Sequence, residues 1–211
     1  MDMFNLRKEF SLRTLDITEV ESDPIAQFNV WFDEAVKSGE DEPNAMILST
    51  ATLNGKPSSR AVLLKQVKPE GFIFFTNYDS RKGRQLDMNP YCALNFYWKE
   101  LERQIRIEGV ATPINEYESD RYFEARPSKS NLGAWASPQS KVISDRGSLE
   151  RLVADFETKF EGKVITRPKN WGGYIIRPYM VEFWQGRENR LHDRLQYNRE
   201  NEIWTIQRLA P

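Results

Sequence analysis

Apolar residues first recur with a helical period over residues 25–36. This spacing predicts a helix that turns one face toward a core. Pro24 suits the first position of such a helix, and Gly39 suits the residue that ends it. Either Ser22 or Asp23 can cap its free N–H groups. The sequence therefore predicts one amphipathic helix near the start of the chain.

From residue 45 onward the pattern changes to short apolar or β-branched runs separated by turn residues, as in strands. Asn54-Gly55 lies between two of these runs and is a strong hairpin signal. Seven or eight strands with few helices favour an antiparallel barrel over a parallel α/β sheet. The predicted strands cover residues 45–53, 59–67, 72–76, 91–98, 101–112, 173–176, 180–185 and 203–209.

Three further helices are predicted between the strands. Each begins at a residue whose side chain can accept from free backbone N–H groups. The first covers residues 81–88, the second ends before Pro127, and the third carries an apolar face over residues 149–160. The candidate caps, in order, are Asp79 or Ser80, then Asn115, then Ser148.

The composition limits the class of protein. The chain has 211 residues, of which 39% are hydrophobic and 29% charged, which suits one globular domain. Residues 1–20 show no clean period, so we expect a flexible arm followed by a single domain over residues 21–211. The net charge of −1 argues against a general nucleic-acid binder. We expect a soluble cytoplasmic protein without membrane contact, because no long apolar span is present.

Cysteine and histidine each occur once, as Cys92 and His192. A single cysteine excludes an intrachain disulfide and a cysteine-rich metal site. A single histidine excludes a zinc site built from several imidazoles. We therefore expect no metal, and any catalysis must draw on other side chains or on an organic cofactor.

Two clusters of basic residues could bind anions. Arg60 and Lys65 flank an apolar run, and strand alternation would place them on opposite faces, facing different ligands or different ends of one site. An edge strand with solvated ends explains the same pattern. Arg81 and Lys82 fall in the first turn of a predicted helix, where the helix dipole disfavours positive charge. A bound anion such as a phosphate would resolve that conflict.

A third cluster combines a phenol, a guanidinium and a hydroxyl. Tyr122 and Arg126 are four residues apart and share a helix face, and Ser130 follows just beyond Pro127. These groups suit a second phosphate. A surface Tyr–Arg pair explains them equally well.

The fourth cluster is a strand with large aromatic residues that runs into an arginine-rich loop. Trp184 offers a flat apolar wall, and Arg190 and Arg194 can face anions or electron-rich rings. This combination suits a planar heteroaromatic ligand. His192 lies in the same loop, although a lone histidine is more often a surface or structural residue.

Taken in order, these segments resemble the pyridoxamine/pyridoxine phosphate oxidase family from about the first helix onward. Each motif is weak alone, but the ordered set is specific. The segments are RAVLLK at 60–65, FTN at 75–77, SRK at 80–82, RP at 126–127, GAW at 133–135, QS at 139–140, WGG at 171–173, FWQG at 183–186, RLHDR at 190–194 and RLAP at 208–211.

The resemblance implies an FMN-binding split β-barrel, mainly β with peripheral helices and antiparallel in a Greek-key-like arrangement. It also implies a homodimer with two FMN sites at the subunit interface. The implied FMN contacts are Arg60, Ala61, Val62, Leu63, Leu64, Lys65, Phe75, Thr76, Arg81, Lys82, Gln104, Gln139, Ser140, Trp184 and Arg194. The implied substrate contacts are Arg7, Lys65, Tyr122, Arg126, Ser130, Arg190, Leu191 and His192, with Arg190 and His192 as the catalytic pair.

The N-terminal arm departs from the family pattern. Some members place an arginine and a tyrosine there to close over the substrate, and Arg7 and Phe10 fall at similar spacing here. Phe10 lacks the hydroxyl group. The contribution of the arm to substrate binding therefore stays open at the level of the sequence.

The implied activity is oxidation of pyridoxamine or pyridoxine 5′-phosphate to pyridoxal 5′-phosphate. Hydride would pass from the C4′ carbon to the flavin N5, and O2 would reoxidise the flavin and leave as H2O2. Another flavin oxidase on the same barrel, as in phenazine synthesis, is the nearest alternative. A non-catalytic protein that stores FMN or pyridoxal phosphate is the alternative from another class.

Overall fold

The structure is a computed structural model that describes residues 2–3 and 9–211. Within these ranges it contains nine strands and five α-helices. The strands are β1 Ala45–Ala51, β2 Pro57–Leu63, β3 Gln66–Lys68, β4 Gly71–Asn77, β5 Tyr91–Trp98, β6 Arg103–Pro113, β7 Trp171–Gln185, β8 Asp193–Glu200 and β9 Ile203–Leu209. The α-helices are α1 Pro24–Lys37, α2 Arg81–Met88, α3 Glu116–Glu124, α4 Ser128–Ala136 and α5 Arg146–Lys159.

All strand pairs are antiparallel, in the order β2-β1-β5-β6-β7-β4-β3, and β8 joins β7 to β9. The sheet curls into a half-barrel, which confirms the predicted mainly-β antiparallel class. None of the helices in the described ranges combines the length and the apolar character needed to cross a lipid bilayer.

The long strand β7 divides the sheet into two parts. One edge of β7 pairs with β6, while residues 171–176 of the other edge pair with β4 and residues 180–185 pair with β8. A bulge separates these parts, because Gly109 of β6 faces Pro178 and the preceding Glu108 faces Met180. The two ends of β7 therefore support different neighbours.

Helix α1 covers the concave side of the sheet. Its cap is Asp23, whose carboxylate accepts from the N–H groups of Ile25 and Ala26. Phe28 is fully buried and its ring lies 4.9 Å from that of Phe72 and 5.2 Å from that of Phe96. Ile25, Phe28 and Ala35 of the predicted apolar stripe are thus buried in the core, whereas Val36 at its end is exposed.

Several predicted boundaries were wrong. Residues 59–67 do not form one strand, because the chain leaves β1 after Leu63 and the Lys65 N–H bonds to the carbonyl of Ile73 instead. Residues 173–176 and 180–185 form one strand rather than two. Ser148 does not cap α5. Asp145 does, and it accepts from the Ser148 N–H at 2.7 Å.

Candidate active site

The N-terminus of α2 and the end of β4 form a cluster of polar and cationic groups that we call the anion cradle. It consists of Arg60, Thr76, Ser80, Arg81, Lys82 and Gln139. Ser80 caps α2 through its hydroxyl, which accepts from the Gly83 N–H at 3.2 Å. This cap leaves the N–H groups of Arg81 and Lys82 without an acceptor inside the helix.

Lys82 lies at the centre of the cradle. Its ammonium group donates to Gln139 Oε1 at 2.9 Å and to Thr76 Oγ1 at 3.1 Å. These acceptors are neutral, so they orient the ammonium group without cancelling its charge. Burial, with a contribution from Arg60, lowers the pKa of Lys82 to about 8.

The other cations of the cradle, Arg60 and Arg81, also lack carboxylate partners among the described residues. Burial lowers the pKa of Arg60, and the nearby charge of Arg81 lowers it further. Within residues 2–3 and 9–211, no carboxylate lies within ion-pair distance of Arg60, Arg81 or Lys82. Clustered cations with only neutral partners form a site that an anion would stabilise.

Next to the cradle, three aromatic rings stack in parallel. The ring of Tyr122 lies 3.8 Å from that of Phe75, and Phe75 lies 5.5 Å from Trp171. Phe75 belongs to β4, Trp171 to β7 and Tyr122 to α3, so the stack joins three elements. Lys65 and Tyr122 line one cavity of about 470 Å³ beside this stack.

Arg126 covers the far end of this stack, with its guanidinium carbon 4.5 Å from the Trp171 ring centre. Nη2 donates to the carbonyl oxygen of Ser130 at 3.1 Å, whereas the buried Nη1 has no hydrogen-bond partner among the described residues. Burial lowers the pKa of Arg126. Arg126, Ser130, Gln139 and Trp171 line a second cavity of about 150 Å³. An unpaired buried donor on a residue that lines a cavity is suited to an anionic ligand.

A separate group of residues lies near the C-terminal end of β7. The rings of Trp184 and His192 are 4.6 Å apart, and Phe10 of the arm packs edge-on against Trp184 at 5.8 Å. His192 Nδ1 accepts from the Arg187 N–H at 3.1 Å, which assigns the proton of the neutral ring to Nε2. Burial, and then the charge of Arg190, lower the pKa of His192 below its ordinary value of 6.5.

Arg190 and Arg194 differ in how firmly they are held. Arg190 is exposed and adopts a left-handed backbone conformation with φ of 61°. Arg194 donates to both carboxylate oxygens of the buried Glu182, at 2.8 and 3.1 Å, and to the carbonyl of Ala210 at 2.8 Å. Arg106 also donates to Glu182, at 3.0 Å. One carboxylate is thus shared by two guanidinium groups.

The remaining residues implied by the resemblance are distributed among these groups. Ala61, Val62 and Leu63 continue β2 from Arg60, and Leu64 follows it and is buried. Gln104 donates to Asn95 at 2.7 Å. Ser140, with φ of 68°, and Leu191 are exposed. Arg7 lies outside the described residues.

The chain does not bring all of these residues together. Phe75 pairs with Gly173 near one end of β7, and Arg194 pairs with Trp184 near the other. Residues 173 and 184 are eleven positions apart, which corresponds to about 36 Å along an extended strand. The cradle and the Trp184–His192 group are therefore two separate groups within the chain, and we refer to them as the first and the second half-site.

Three residues of these half-sites were missed in the sequence. Trp171 closes the aromatic stack, Glu182 fixes Arg194, and Gln85 of α2 hydrogen-bonds to residues that hold Arg60. Trp171 had a signal, because it opens the WGG segment of the family resemblance. Glu182 and Gln85 had no recognisable signal in the sequence, because the residues that they contact are distant in the chain.

Residues 32–160 match the family described as pyridoxamine 5′-phosphate oxidase. Residues 171–211 match the family described as the pyridoxine 5′-phosphate oxidase C-terminal dimerisation region. A pyridoxine/pyridoxamine 5′-phosphate oxidase of Rubrobacter xylanophilus is 53% identical, covering 100% of this chain and 97% of the relative. The protein of the same name in Nostoc punctiforme is 52% identical, with coverage of 98% and 97%.

Two solved structures share the fold. PhzG from Burkholderia lata, in complex with tetrahydrophenazine-1-carboxylic acid, superposes with a TM-score of 0.90 at 32% identity, covering 97% of this chain and 100% of that one. A pyridoxamine 5′-phosphate oxidase-related, FMN-binding protein from Nostoc punctiforme gives a TM-score of 0.70 at 18% identity, with coverage of 88% and 98%. The second likeness concerns the fold alone.

Proposed function

The chain belongs to the pyridoxamine 5′-phosphate oxidase family, and from that premise we propose that it oxidises pyridoxamine or pyridoxine 5′-phosphate to pyridoxal 5′-phosphate. FMN is the proposed cofactor, O2 the electron acceptor and H2O2 the second product. The observation that carries the proposal is a pair of neighbouring donor groups that each suit an anion, the cradle around Lys82 and the unpaired buried Nη1 of Arg126.

The residues present fit both phosphates. The cradle offers three cations without carboxylate partners in the described ranges, which suits the phosphate of FMN. Arg126 offers an unpaired buried donor beside Ser130, which suits the phosphate of the substrate. Only a phosphorylated substrate requires the second site. Lys65 lines the cavity beside the aromatic stack and would contact both ligands.

When bound, FMN supplies the hydride acceptor for the C4′ carbon of the substrate and the route of the electrons to O2. The two anion sites fix the position of both rings and so convert their encounter into a unimolecular step. Trp184, Gln104 and Arg194 would complete the FMN contacts from the second half-site. We assign to this chain no strong base, because the departing amine or alcohol can lose its proton to water.

Arg190 and His192 are the proposed catalytic pair, placed against the pyridine ring of the substrate. The lowered pKa of His192 keeps its imidazole neutral at pH 7, so Nε2 can donate a hydrogen bond. The exposed guanidinium of Arg190 would orient the substrate and stabilise developing negative charge. Phe10 of the arm would cover this face through apolar contact, since it has no hydroxyl group to donate.

We further propose that the active unit is a homodimer with each site built from both protomers. The two half-sites lie at opposite ends of β7, so a single protomer does not unite them. The match of residues 171–211 to a dimerisation region supports this arrangement, because that region contains Trp184, Arg190, His192 and Arg194 of the second half-site.

Flavin content and oxygen uptake test the proposal together. Purified protein should be yellow and consume oxygen with pyridoxamine 5′-phosphate, but far less with unphosphorylated pyridoxamine. Arg190→Ala should impair turnover more than FMN retention, and Arg81→Ala should mainly weaken FMN binding.

A yellow but inert protein would indicate flavin storage. Oxidation of a reduced phenazine precursor in preference to the vitamin would indicate a PhzG-like oxidase.

A further inference from the structure

The side chain of Arg60 is held by a chain of hydrogen bonds that ends on Gln85. Arg60 donates to the hydroxyl of Thr50 at 2.8 Å and to that of Ser58 at 2.6 Å. It also donates to the carbonyl of Leu48 at 3.0 Å. Both hydroxyls then donate to Oε1 of Gln85, at 2.6 and 2.7 Å. One amide oxygen on α2 therefore orients two hydroxyls, one on β1 and one on β2.

Because this network is buried, its hydrogen bonds depend on these particular protein partners. Gln85 is 3% exposed and Thr50 is 2% exposed, so water does not readily replace these hydrogen bonds. The amide nitrogen of Gln85 is buried and has no hydrogen-bond partner among the described residues. The carbonyl oxygen is thus the part of Gln85 that the network uses.

The neutrality of the Gln85 amide is part of its role. A glutamate here could accept the same two hydrogen bonds, but its carboxylate would add a negative charge close to Arg60. The cradle would then lose part of the positive potential that attracts an anion. Gln85 fixes the guanidinium while leaving its charge uncompensated.

We propose that Gln85 is a positioning residue of the anion cradle, acting through Thr50 and Ser58 on Arg60. The inference rests on the proposed function only for the identity of the anion, the phosphate of FMN. Gln85 itself is assigned no contact with the ligand. Its role is to hold Arg60 ready before the anion arrives, which lowers the cost of ordering that side chain on binding.

Two substitutions separate this role from a structural one. FMN affinity is measured by quenching of flavin fluorescence on the full-length apoprotein. Gln85→Met removes the acceptor, and Gln85→Glu keeps it but adds charge. Both should weaken FMN binding by about tenfold or more. If Gln85 only supports packing, Gln85→Met, which keeps the volume of the side chain, will bind FMN like the wild type, and that result would overturn the proposal.

A double-mutant cycle tests the route through Arg60. Gln85→Met should cause no further loss of affinity in an Arg60→Ala background, because the group on which it acts is absent. Independent, additive losses would contradict the proposed coupling. Asn29→Asp, on the exposed face of α1, adds the same charge far from α2 and should leave affinity unchanged.

The thermal midpoint of each variant separates folding from binding, and inorganic phosphate serves as a second probe. Phosphate should raise the Tm of the wild type more than that of either Gln85 variant. Wild-type protein that takes up no FMN yet is stabilised by phosphate in this order would refute the proposed function and retain the role of Gln85. Equal stabilisation of all variants by phosphate would refute that role.

Discussion

Lys82 carries its charge where burial opposes it. Its pKa of about 8 means that the ammonium form is already partly lost at mildly alkaline pH. An anion favours the charged form, so binding must raise this pKa, and FMN affinity must fall as the pH rises above about 8. We expect a decrease of up to about tenfold per pH unit. Fluorescence titration of the apoprotein between pH 7 and 10 measures it.

Lys82→Arg is the matched control for this pH dependence. Arginine stays protonated throughout the range, so the variant should bind FMN with an almost flat pH profile, whatever its absolute affinity. A profile for Lys82→Arg that falls as steeply as that of the wild type would assign the titration to another group. Lys82 would then not be the source of the effect.

Arg126 is expected to act on substrate affinity. Its Nη1 is buried and unpaired, and a charged hydrogen bond to phosphate contributes about 1.5–3 kcal/mol. Arg126→Ala should therefore raise KM for pyridoxamine 5′-phosphate by about ten- to a hundredfold, with a smaller effect on FMN affinity. Steady-state oxygen uptake measures KM. Arg146→Ala, on the exposed side of α5, is the control, and an unchanged KM for Arg126→Ala would remove Arg126 from the site.

The sequence predicted individual residues whose local position indicates a binding role. It missed residues that act by holding another side chain. Arg81 and Lys82 stood out because a helix start disfavours cations. Glu182 and Gln85 did not, because a buried carboxylate or amide is recognisable only by partners that are distant in the chain. The sequence predicted that Arg194 can face an anion or an electron-rich ring, and the structure adds that Glu182 accepts hydrogen bonds from it.

Helices and strands were predictable from the sequence where residues within or next to the element, such as a cap, mark its ends. The bounds of α2 agree with the sequence prediction because Ser80 provides a cap within one turn. Helix α4 was not predicted, since Ser128–Ala136 contains a glycine and has no apolar stripe. Strand β8 was not predicted either. Strand β7 was predicted as two strands, over residues 173–176 and 180–185. The structure joins them through Pro178, which lies at a bulge that tolerates the missing N–H group.

Phe10 of the N-terminal arm lies against Gly186, where the absence of a side chain leaves room for it. A methyl group at residue 186 would lie 2.8 Å from Cβ and Cγ of Phe10, too close for ordinary contact. Gly186 directly follows β7, whose last residue is paired on both edges, so we expect the arm to move rather than this part of the backbone. We expect Gly186→Ala to separate Phe10 from Trp184 and to speed tryptic cleavage after Arg13, with little change in Tm.

The comparison variant for the arm is Gly133→Ala, which adds a methyl group where no atom lies within 4 Å. Its rate of cleavage after Arg13 should match that of the wild type. If Gly186→Ala is cleaved no faster, Phe10 does not depend on the space above Gly186. A large loss of Tm instead would mean that β7, and not the arm, gives way.

On the scale of the whole molecule, β7 sets the distance between the half-sites. Its two ends pair with different strands, β4 near the cradle and β8 near Trp184. A rigid strand of this length keeps the two groups apart in one chain. A second copy that places its Trp184–His192 group against the first copy's cradle would complete one site, and symmetry would complete the other.

A heterodimer of two defective chains provides the decisive test. Lys82→Ala damages the first half-site and Arg190→Ala the second, so each homodimer should have two impaired sites. In the heterodimer, both defects fall in one site and the other site is built entirely from wild-type residues. Co-expression with two affinity tags, followed by two purification steps, should yield dimers with about half of wild-type turnover. If each site belonged to one chain, every site in the heterodimer would carry one of the two substitutions and the activity would stay near that of the parent variants.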